Sequence, residues 1–163
     1  MTSSDAGEVK PVELKMTAVG SGREVDLASL LQPVLFVAFG QETQAGSDPV
    51  EQVARARYKP SDLLVVSLID LHKIPSLIRK MAEGVLNNEH KKAVEALPAG
   101  ADPYEYVVVL PDWKGEAVKS LGLTDATKAI GLALVDTAGR VQWRYQGAEP
   151  APALEARFAS NPL

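Results

Sequence analysis

One run of apolar residues, Val34–Phe39 (VLFVAF), limits the folds open to this chain more than any other feature. Its six residues, several of them β-branched or aromatic, are typical of a strand buried on both faces and are too few for a buried helix. A polar loop, residues 40–47, follows. Asp48, Pro49 and Glu51 then have the pattern of a helix start: an N-cap acceptor, a proline at the first helical position and a carboxylate three residues after the cap. The sequence therefore predicts a central strand that leads through a polar loop into a helix.

A second apolar run, residues 63–69 (LLVVSLI), predicts another buried strand after Pro60 and Ser61 end the helix. Two buried strands joined by a helix form a right-handed βαβ unit. We therefore expect the two strands to be parallel and to end at the same edge of a sheet.

The N-terminal part predicts a small β extension. Residues 12–16 alternate apolar and charged side chains like a half-exposed strand, residues 20–22 turn the chain, and residues 23–25 return as the partner. Asp26 is expected to cap a brief helix that carries three leucines on one face, Leu27, Leu30 and Leu31. Residues 1–11 are expected to be a flexible N-terminus, and residues 12–163 a single domain.

Residues 71–103 predict a helical insertion after the second strand. Apolar side chains recur there at helical spacing, and Asn87 and Asn88 offer an N-cap, so we expect either two helices or one helix broken near Gly84. His90 is expected to be a partly buried packing residue. The apolar side of the insertion helices consists of Leu77, Ile78, Met81, Val85 and Leu86. This side is wider than one narrow stripe, and any part of it that stays exposed would be a partner or dimer surface.

The C-terminal part predicts a strand, a short helix, a hairpin and a last helix. A strand over residues 104–110 ends at Pro111, and a short helix that begins within residues 112–115 stops at Gly122. Residues 130–135 and 141–145 flank a turn with Gly139, which is typical of a β-hairpin. Residues 150–158 form an amphipathic helix.

Composition excludes several classes of function. The net charge of −4 and the scattered basic residues disfavour nucleic acid as a partner. No apolar stretch approaches the roughly 20 residues of a membrane span, and the first ten residues do not resemble a signal peptide. We expect a soluble protein, cytoplasmic as the sequence is written and periplasmic if a signal peptide has been removed. The absence of cysteine excludes a disulfide, a thiolate nucleophile and a cysteine-ligated metal in this chain.

Two segments carry a resemblance to a known family. Residues 22–39 (GREVDLASLLQPVLFVAF) resemble the region of redoxins, the TlpA and peroxiredoxin-type proteins, that leads into the strand before the redox loop. Residues 136–147 (DTAGRVQWRYQG) resemble the last hairpin of the same family. The resemblance implies a thioredoxin-like α/β fold: a three-layer α/β/α sandwich with a central mixed sheet, the N-terminal β extension and the helical insertion after the second core strand.

The chain departs from this family where the family's chemistry lies. With Phe39 placed on the family's strand-end phenylalanine, Gln44, Ala45, Gly46 and Ser47 stand at the Cys-x-x-Cys motif. The family's cis-proline falls near Ile130, where this chain has no proline. The missing thiols, the hairpin and the insertion together resemble the cysteine-lacking YtfJ-type branch. Thiol–disulfide exchange and cysteine peroxidase activity are excluded because the chain has no cysteine.

Polar residues at the carboxyl ends of the parallel strands are the candidate binding site, because ligands of open α/β sheets gather there. We predict neither a cofactor nor a metal ion, and ordinary solvated loops remain the alternative interpretation of these residues. The candidates are Gln41, Glu42, Thr43, Gln44, Ser47, Asp70, His72, Thr127 and Lys128.

Three functional hypotheses follow. The first is a redox-inactive thioredoxin-fold module that holds a protein or peptide at the former active-site edge or at the insertion. The second is a non-thiol enzyme, or a protein that binds a metal or small molecule, in a cleft around Glu42, Asp70 and His72. The third is a structural module that forms a homodimer.

Overall fold

A five-stranded mixed sheet lies at the centre of the computed structural model, which describes residues 10–163. The strands follow the order β5-β4-β3-β6-β7, and β1 and β2 form a separate two-stranded sheet. Residues 1–9, most of the expected flexible N-terminus, lie outside the described residues. The strands are β1 (Lys15–Thr17), β2 (Glu24–Asp26), β3 (Val34–Phe39), β4 (Leu64–Asp70), β5 (Val109–Asp112), β6 (Gly131–Val135) and β7 (Val141–Gln146).

Strand β3 is central, as its apolar sequence predicts. All six of its residues are buried, and it pairs in parallel with β4 from Val34 opposite Leu64 to Phe39 opposite Ile69. On its other side it pairs antiparallel with β6, and β7 continues that hairpin. The predicted βαβ unit and the C-terminal hairpin are both confirmed.

Helices cover both faces of the sheet. They are α1 (Ser47–Arg57), α2 (Arg79–Glu95), α3 (Pro103–Tyr106), α4 (Glu116–Ser120) and α5 (Pro150–Ser160). Because successive side chains of a strand point to opposite faces, β3 contributes to two apolar layers. Phe36 packs with α4 and the N-terminal β extension, and Leu35 packs with α1 and α5. This three-layer arrangement confirms the predicted fold class.

Two expected helix starts are wrong. Helix α1 begins at Ser47 and follows directly on a 3₁₀ turn, Gln44–Gly46, so Gly46 is the N-cap and Asp48 lies inside the first turn. Asp26 does accept a hydrogen bond from the amide of Ala28, but only a turn follows it and no helix forms before β3. Leu31, expected on a packed face, is 95 % exposed.

The insertion contains one long helix rather than two. Helix α2 runs without a break through Gly84, Asn87 and Asn88, so the expected N-cap and the expected break are both wrong. Of its 17 residues, all described, only Leu86 is buried. His90 is half-buried, and its ring lies against Gly20, in agreement with a packing role.

The strand expected over residues 104–110 is shorter and lies later. Pro103–Tyr106 form α3, because the Asp102 side chain accepts a hydrogen bond from the amide of Tyr104 and Pro103 opens the helix. Strand β5 therefore begins only at Val109 and continues to Asp112.

Candidate functional site

Three loops meet at the carboxyl edge of β3 and β4. Strand β3 ends at Phe39 and parallel β4 ends at Asp70. Antiparallel β6 begins at Gly131, opposite Ala38, so the segment before β6 arrives at the same edge. The sheet topology thus brings together residues 40–47, 70–73 and 125–130.

Asp70 links the end of β4 to the segment before β6. Its side chain is almost fully buried, and one oxygen, Oδ2, accepts a hydrogen bond of 3.1 Å from the amide of Ala126. The other oxygen, Oδ1, lies 2.6 Å from Nδ1 of His72 and accepts a bond of 3.2 Å from the amide of the same residue. With the Nδ1 proton directed at this carboxylate, the other ring nitrogen of His72, Nε2, is left to face outward.

Asp125 stands on the outer side of His72. Its Oδ2 atom lies 4.0 Å from His72 Nε2 and 3.4 Å from Lys73 Nζ. Its Oδ1 atom accepts hydrogen bonds from the hydroxyl of Thr127 at 2.5 Å and from the Thr127 amide at 2.9 Å. The Thr127 hydroxyl, aided by the Thr127 amide and by Lys73, lowers the pKa of Asp125 from 3.8 to about 2.

Ala126 is held from both sides. The Thr43 hydroxyl donates to its carbonyl oxygen at 2.7 Å, while Asp70 accepts from its amide. The same Thr43 oxygen accepts from the Gly40 amide at 2.9 Å. A side chain at Gly40 would collide with Thr127, since a Cβ there would lie 2.7 Å from the Thr127 methyl group. Glycine thus lets the segment 125–128 approach the end of β3 closely.

A shallow groove lies on the other side of this segment. It has a volume of about 260 Å³ and separates the loop after β3 from the segment before β6, with the start of α5 at its end. Glu42 and Lys128 are the charged residues of its lining, and most of the others are small. The lining residues are Glu42, Thr43, Ala45, Gly46, Lys128, Ala129, Ile130, Gly147, Ala148 and Pro150.

The structure divides the predicted site residues into two sets. Glu42, Thr43 and Lys128 line the groove, whereas Asp70, His72 and Thr127 belong to the hydrogen-bonded cluster. Gln41 and Gln44 are exposed and lie in neither set. Ser47 donates its hydroxyl hydrogen to the Gln44 carbonyl at 2.8 Å, a local contact at the start of α1.

One member of the cluster was not predicted. The second functional hypothesis groups Glu42 with Asp70 and His72, but the second carboxylate beside His72 is that of Asp125. A signal for it exists in the sequence: Asp125 stands two residues before Thr127, at the spacing at which an aspartate accepts from a following backbone amide.

Residues 44–47, which the sequence resemblance aligns with the family's redox motif, form a turn and a helix start. Gln44, Ala45 and Gly46 form the 3₁₀ turn, and Ser47 is the first residue of α1. The facing segment, residues 128–130, contains no proline, and no cis peptide bond occurs within residues 10–163. The groove between these two segments therefore contains neither thiols nor a cis-proline.

Comparisons with known proteins support the fold and no more. No protein-family model and no curated protein matches the chain. None of the helices in residues 10–163 has the length and apolar composition of a membrane span.

Several solved structures are similar over almost the whole chain. The exposed lipoprotein thioredoxin Etrx1 of Streptococcus pneumoniae is 16 % identical, with a TM-score of 0.59, over 91 % of this chain and 98 % of that chain. StoA of Bacillus subtilis is 14 % identical, with a TM-score of 0.57, over 91 % and 97 %. A DsbF homologue from Corynebacterium diphtheriae is 18 % identical, with a TM-score of 0.61, over 94 % and 88 %.

At these identities the likeness concerns the fold, and assignment to the YtfJ-type branch remains a prediction. The strand order, the helices on both faces and the solved structures agree. The chain therefore has a thioredoxin-like α/β fold that lacks the cysteines on which thiol chemistry depends.

Proposed function

We propose that this protein is a redox-inactive thioredoxin-fold module that binds an extended peptide in the groove between residues 42–46 and 128–130. The observation that carries the proposal is the groove itself, which lies open between the loop after β3 and the segment before β6.

The size of the groove favours a peptide over a small molecule. Small-molecule sites usually enclose about 300–1,000 Å³ and bury most of their ligand, whereas this groove is shallow and holds about 260 Å³. A peptide that lies across it needs to insert only a side chain or two. A larger depression of about 670 Å³ lies beside β1 and β2 near Ala138, at the opposite end of β6.

The chemistry of the lining fits an apolar side chain flanked by polar groups. Alanine and glycine residues and Ile130 make up most of the lining residues. Glu42 and Lys128, of opposite charge, stand at exposed positions where they can meet polar or charged groups of a peptide.

The hydrogen bonds behind the groove keep its two walls in place. Thr43 belongs to one wall and bonds the carbonyl of Ala126, which directly precedes the other wall. Asp70 fixes the amide of the same residue. A preorganised groove loses less conformational entropy on binding than a loose one.

A binding experiment with a matched pair of substitutions tests the proposal. The probe is insulin B chain with alkylated cysteines and a fluorescent label, and binding is followed by fluorescence anisotropy. Gly46→Leu is expected to weaken binding about tenfold or more, because the new side chain occupies the volume that a side chain of the peptide needs. The peptide then loses about 0.8 kcal/mol for each methylene group that it can no longer bury. The mutant should fold, since a Cβ at Gly46 meets Ile130 at an ordinary 3.5 Å and the backbone φ there is −76°.

Gly84→Leu is the control, because it makes the same replacement in a helix where a Cβ meets nothing within 4 Å. It should leave the affinity unchanged. Absence of saturable binding, or equal affinity of the two variants, would refute the proposal. Reduction of intact insulin above a heat-treated control would contradict the redox-inactive part separately.

A further inference from the structure

We propose that His72 and Asp125 bind a divalent transition-metal ion of the Zn²⁺ type, with Asp70 as the carboxylate that orients His72. Ligand atoms of the three side chains lie within 4.8 Å of one another. None of the three side chains lines the groove, and the proposal does not depend on peptide binding.

The first argument is the orientation of the imidazole. Asp70 Oδ1 lies 2.6 Å from His72 Nδ1, and the carboxylate is itself fixed by the Ala126 amide. Metal-binding histidines usually donate a hydrogen bond from the N–H of their second ring nitrogen to a carboxylate or carbonyl oxygen, which directs the lone pair of the other nitrogen at the metal. Here that nitrogen is Nε2, on a side chain that is 35 % exposed and so within reach of an ion from solution.

The second argument is the position of the Oδ2 atom of Asp125. Thr127 occupies Oδ1 with two hydrogen bonds, and Oδ2 remains turned toward His72 Nε2 at 4.0 Å. A zinc–nitrogen and a zinc–oxygen bond together measure about 4.0–4.3 Å, so an ion between the two atoms can contact both. If the two atoms move together by about half an ångström, the angle at the ion becomes bent. Water would complete the coordination.

The donor set limits the choice of ion. One imidazole nitrogen with carboxylate oxygens suits Zn²⁺ and related first-row ions, whereas Ca²⁺ and Mg²⁺ prefer oxygen ligands alone.

Lys73 competes for the same oxygen. Its ammonium group lies 3.4 Å from Asp125 Oδ2, and its side chain is 52 % exposed. Exposed ion pairs contribute little free energy, so a divalent ion with an imidazole ligand can displace this contact. The competition supplies a test, because removal of the lysine should strengthen metal binding while it removes a stabilising contact from the metal-free protein.

Calorimetric titration of the purified chain with ZnCl₂, after treatment with a chelator, tests the proposal. One ion per chain is expected to bind, and His72→Asn should abolish this binding. Asp70→Asn should weaken it about tenfold, as loss of an orienting carboxylate does in other sites. Lys73→Met should strengthen it about two- to fivefold, the equivalent of an exposed ion pair.

His90→Asn is the matched control, since His90 is the other of the two histidines in the chain. Circular dichroism verifies that each variant is folded. Binding that survives His72→Asn, binding that His90→Asn abolishes, or no saturable binding of Zn²⁺ at all would overturn the proposal. Weaker binding after Lys73→Met would also contradict it.

Discussion

Thr127 makes two kinds of contact within and around the segment before β6. Its methyl group packs against Gly40, and its hydroxyl and amide hydrogen-bond Asp125. Together these contacts hold the segment against the end of β3. The residue thereby connects the packing of the sheet to the charge of a surface carboxylate.

Thr127→Val should raise the pKa of Asp125 from about 2 toward its ordinary value of 3.8. The hydrogen bond from the Thr127 hydroxyl is the largest cause of the lowered pKa, and valine cannot make it. A carboxylate whose pKa is lower in the folded than in the unfolded state stabilises the fold above the unfolded pKa, and this contribution is lost as the pH falls through the folded pKa. The difference in unfolding free energy between wild type and variant should therefore be largest above about pH 4 and should shrink between pH 4 and pH 2. Urea unfolding across this range and ¹³C titration of the carboxyl group measure both effects.

Thr124→Val is the control for this experiment. It also removes a hydroxyl hydrogen bond, but the partner is Gln146 rather than Asp125. A pKa of Asp125 that stays near 2 in Thr127→Val, or that rises equally in Thr124→Val, would contradict the assigned cause.

Among the elements, α2 is the least anchored long helix of the described chain. Only Leu86 of its residues is buried, while Leu77 before it and Met81 and Val85 within it are 96 %, 72 % and 55 % exposed. A helix with so little tertiary contact depends on its own propensity to form. Gly84 in its interior lowers that propensity.

Gly84→Ala should stabilise α2 by about 1 kcal/mol, because alanine favours a helix over glycine by this amount and its Cβ meets nothing within 4 Å. We expect α2 to open locally, so amide hydrogen exchange in α2 should slow about fivefold while exchange in β3 stays the same. Hydrogen exchange followed by mass spectrometry measures this difference. Gly22→Ala, at a φ of +70°, is the contrasting variant and should not stabilise the protein. Equal protection of α2 and β3 would show that α2 is part of the cooperative core.

The elements that the sequence predicts well are those whose pattern is determined locally. The bounds of Val34–Phe39 match the structure, because a doubly buried strand needs a continuous apolar run. The hairpin is found around Gly139, whose φ of +79° few other residues adopt.

The sequence predicts helix starts less well, because an Asp-Pro dipeptide can stand at the N-cap of a helix or inside its first turn. Asp-Pro occurs at residues 48–49 and 102–103. At Asp102 the side chain caps a helix, whereas at Asp48 the preceding 3₁₀ turn already begins the helical path. Which outcome occurs depends on how the loop after β3 packs against the segment before β6, and this contact is remote in sequence.

The candidate site was predictable in location but not in composition. The rule that polar residues gather at the carboxyl edge of parallel strands located Thr43 and Asp70, which both hydrogen-bond Ala126, and Thr127, the next residue in the chain. The same rule does not tell which side of a loop each residue occupies. It therefore placed Glu42 with His72 and missed Asp125.

In the whole molecule, α5 joins the last part of the chain to the first half of the sheet. Phe158 is fully buried in the layer that α1 and the sheet share, and its ring packs edge-on against Tyr58 at 5.0 Å between centroids. Contacts between α1 and α5 therefore link residues about a hundred positions apart. Stability of the sheet on this face depends on the C-terminal helix.

Phe158→Ala should destabilise the protein by about 3–5 kcal/mol, the usual cost of a large cavity in a core. This loss is a large fraction of the roughly 5–15 kcal/mol by which domains are stable. Leu31→Ala removes a side chain that is 95 % exposed and should change stability by less than about 0.5 kcal/mol. Equilibrium urea unfolding measures both, and similar losses in the two variants would contradict this view of the core.

The position of β6 beside β3 has a consequence for synthesis on the ribosome. About ninety residues separate these two strands in sequence, although they are hydrogen-bonded neighbours. At translation rates of about 5–20 residues per second, β3 waits about 5–20 s for this partner. During that interval the nascent chain carries an apolar strand with an unpaired edge, the kind of segment that associates with other unfolded chains, and the VLFVAF sequence is therefore where a chaperone would protect this protein.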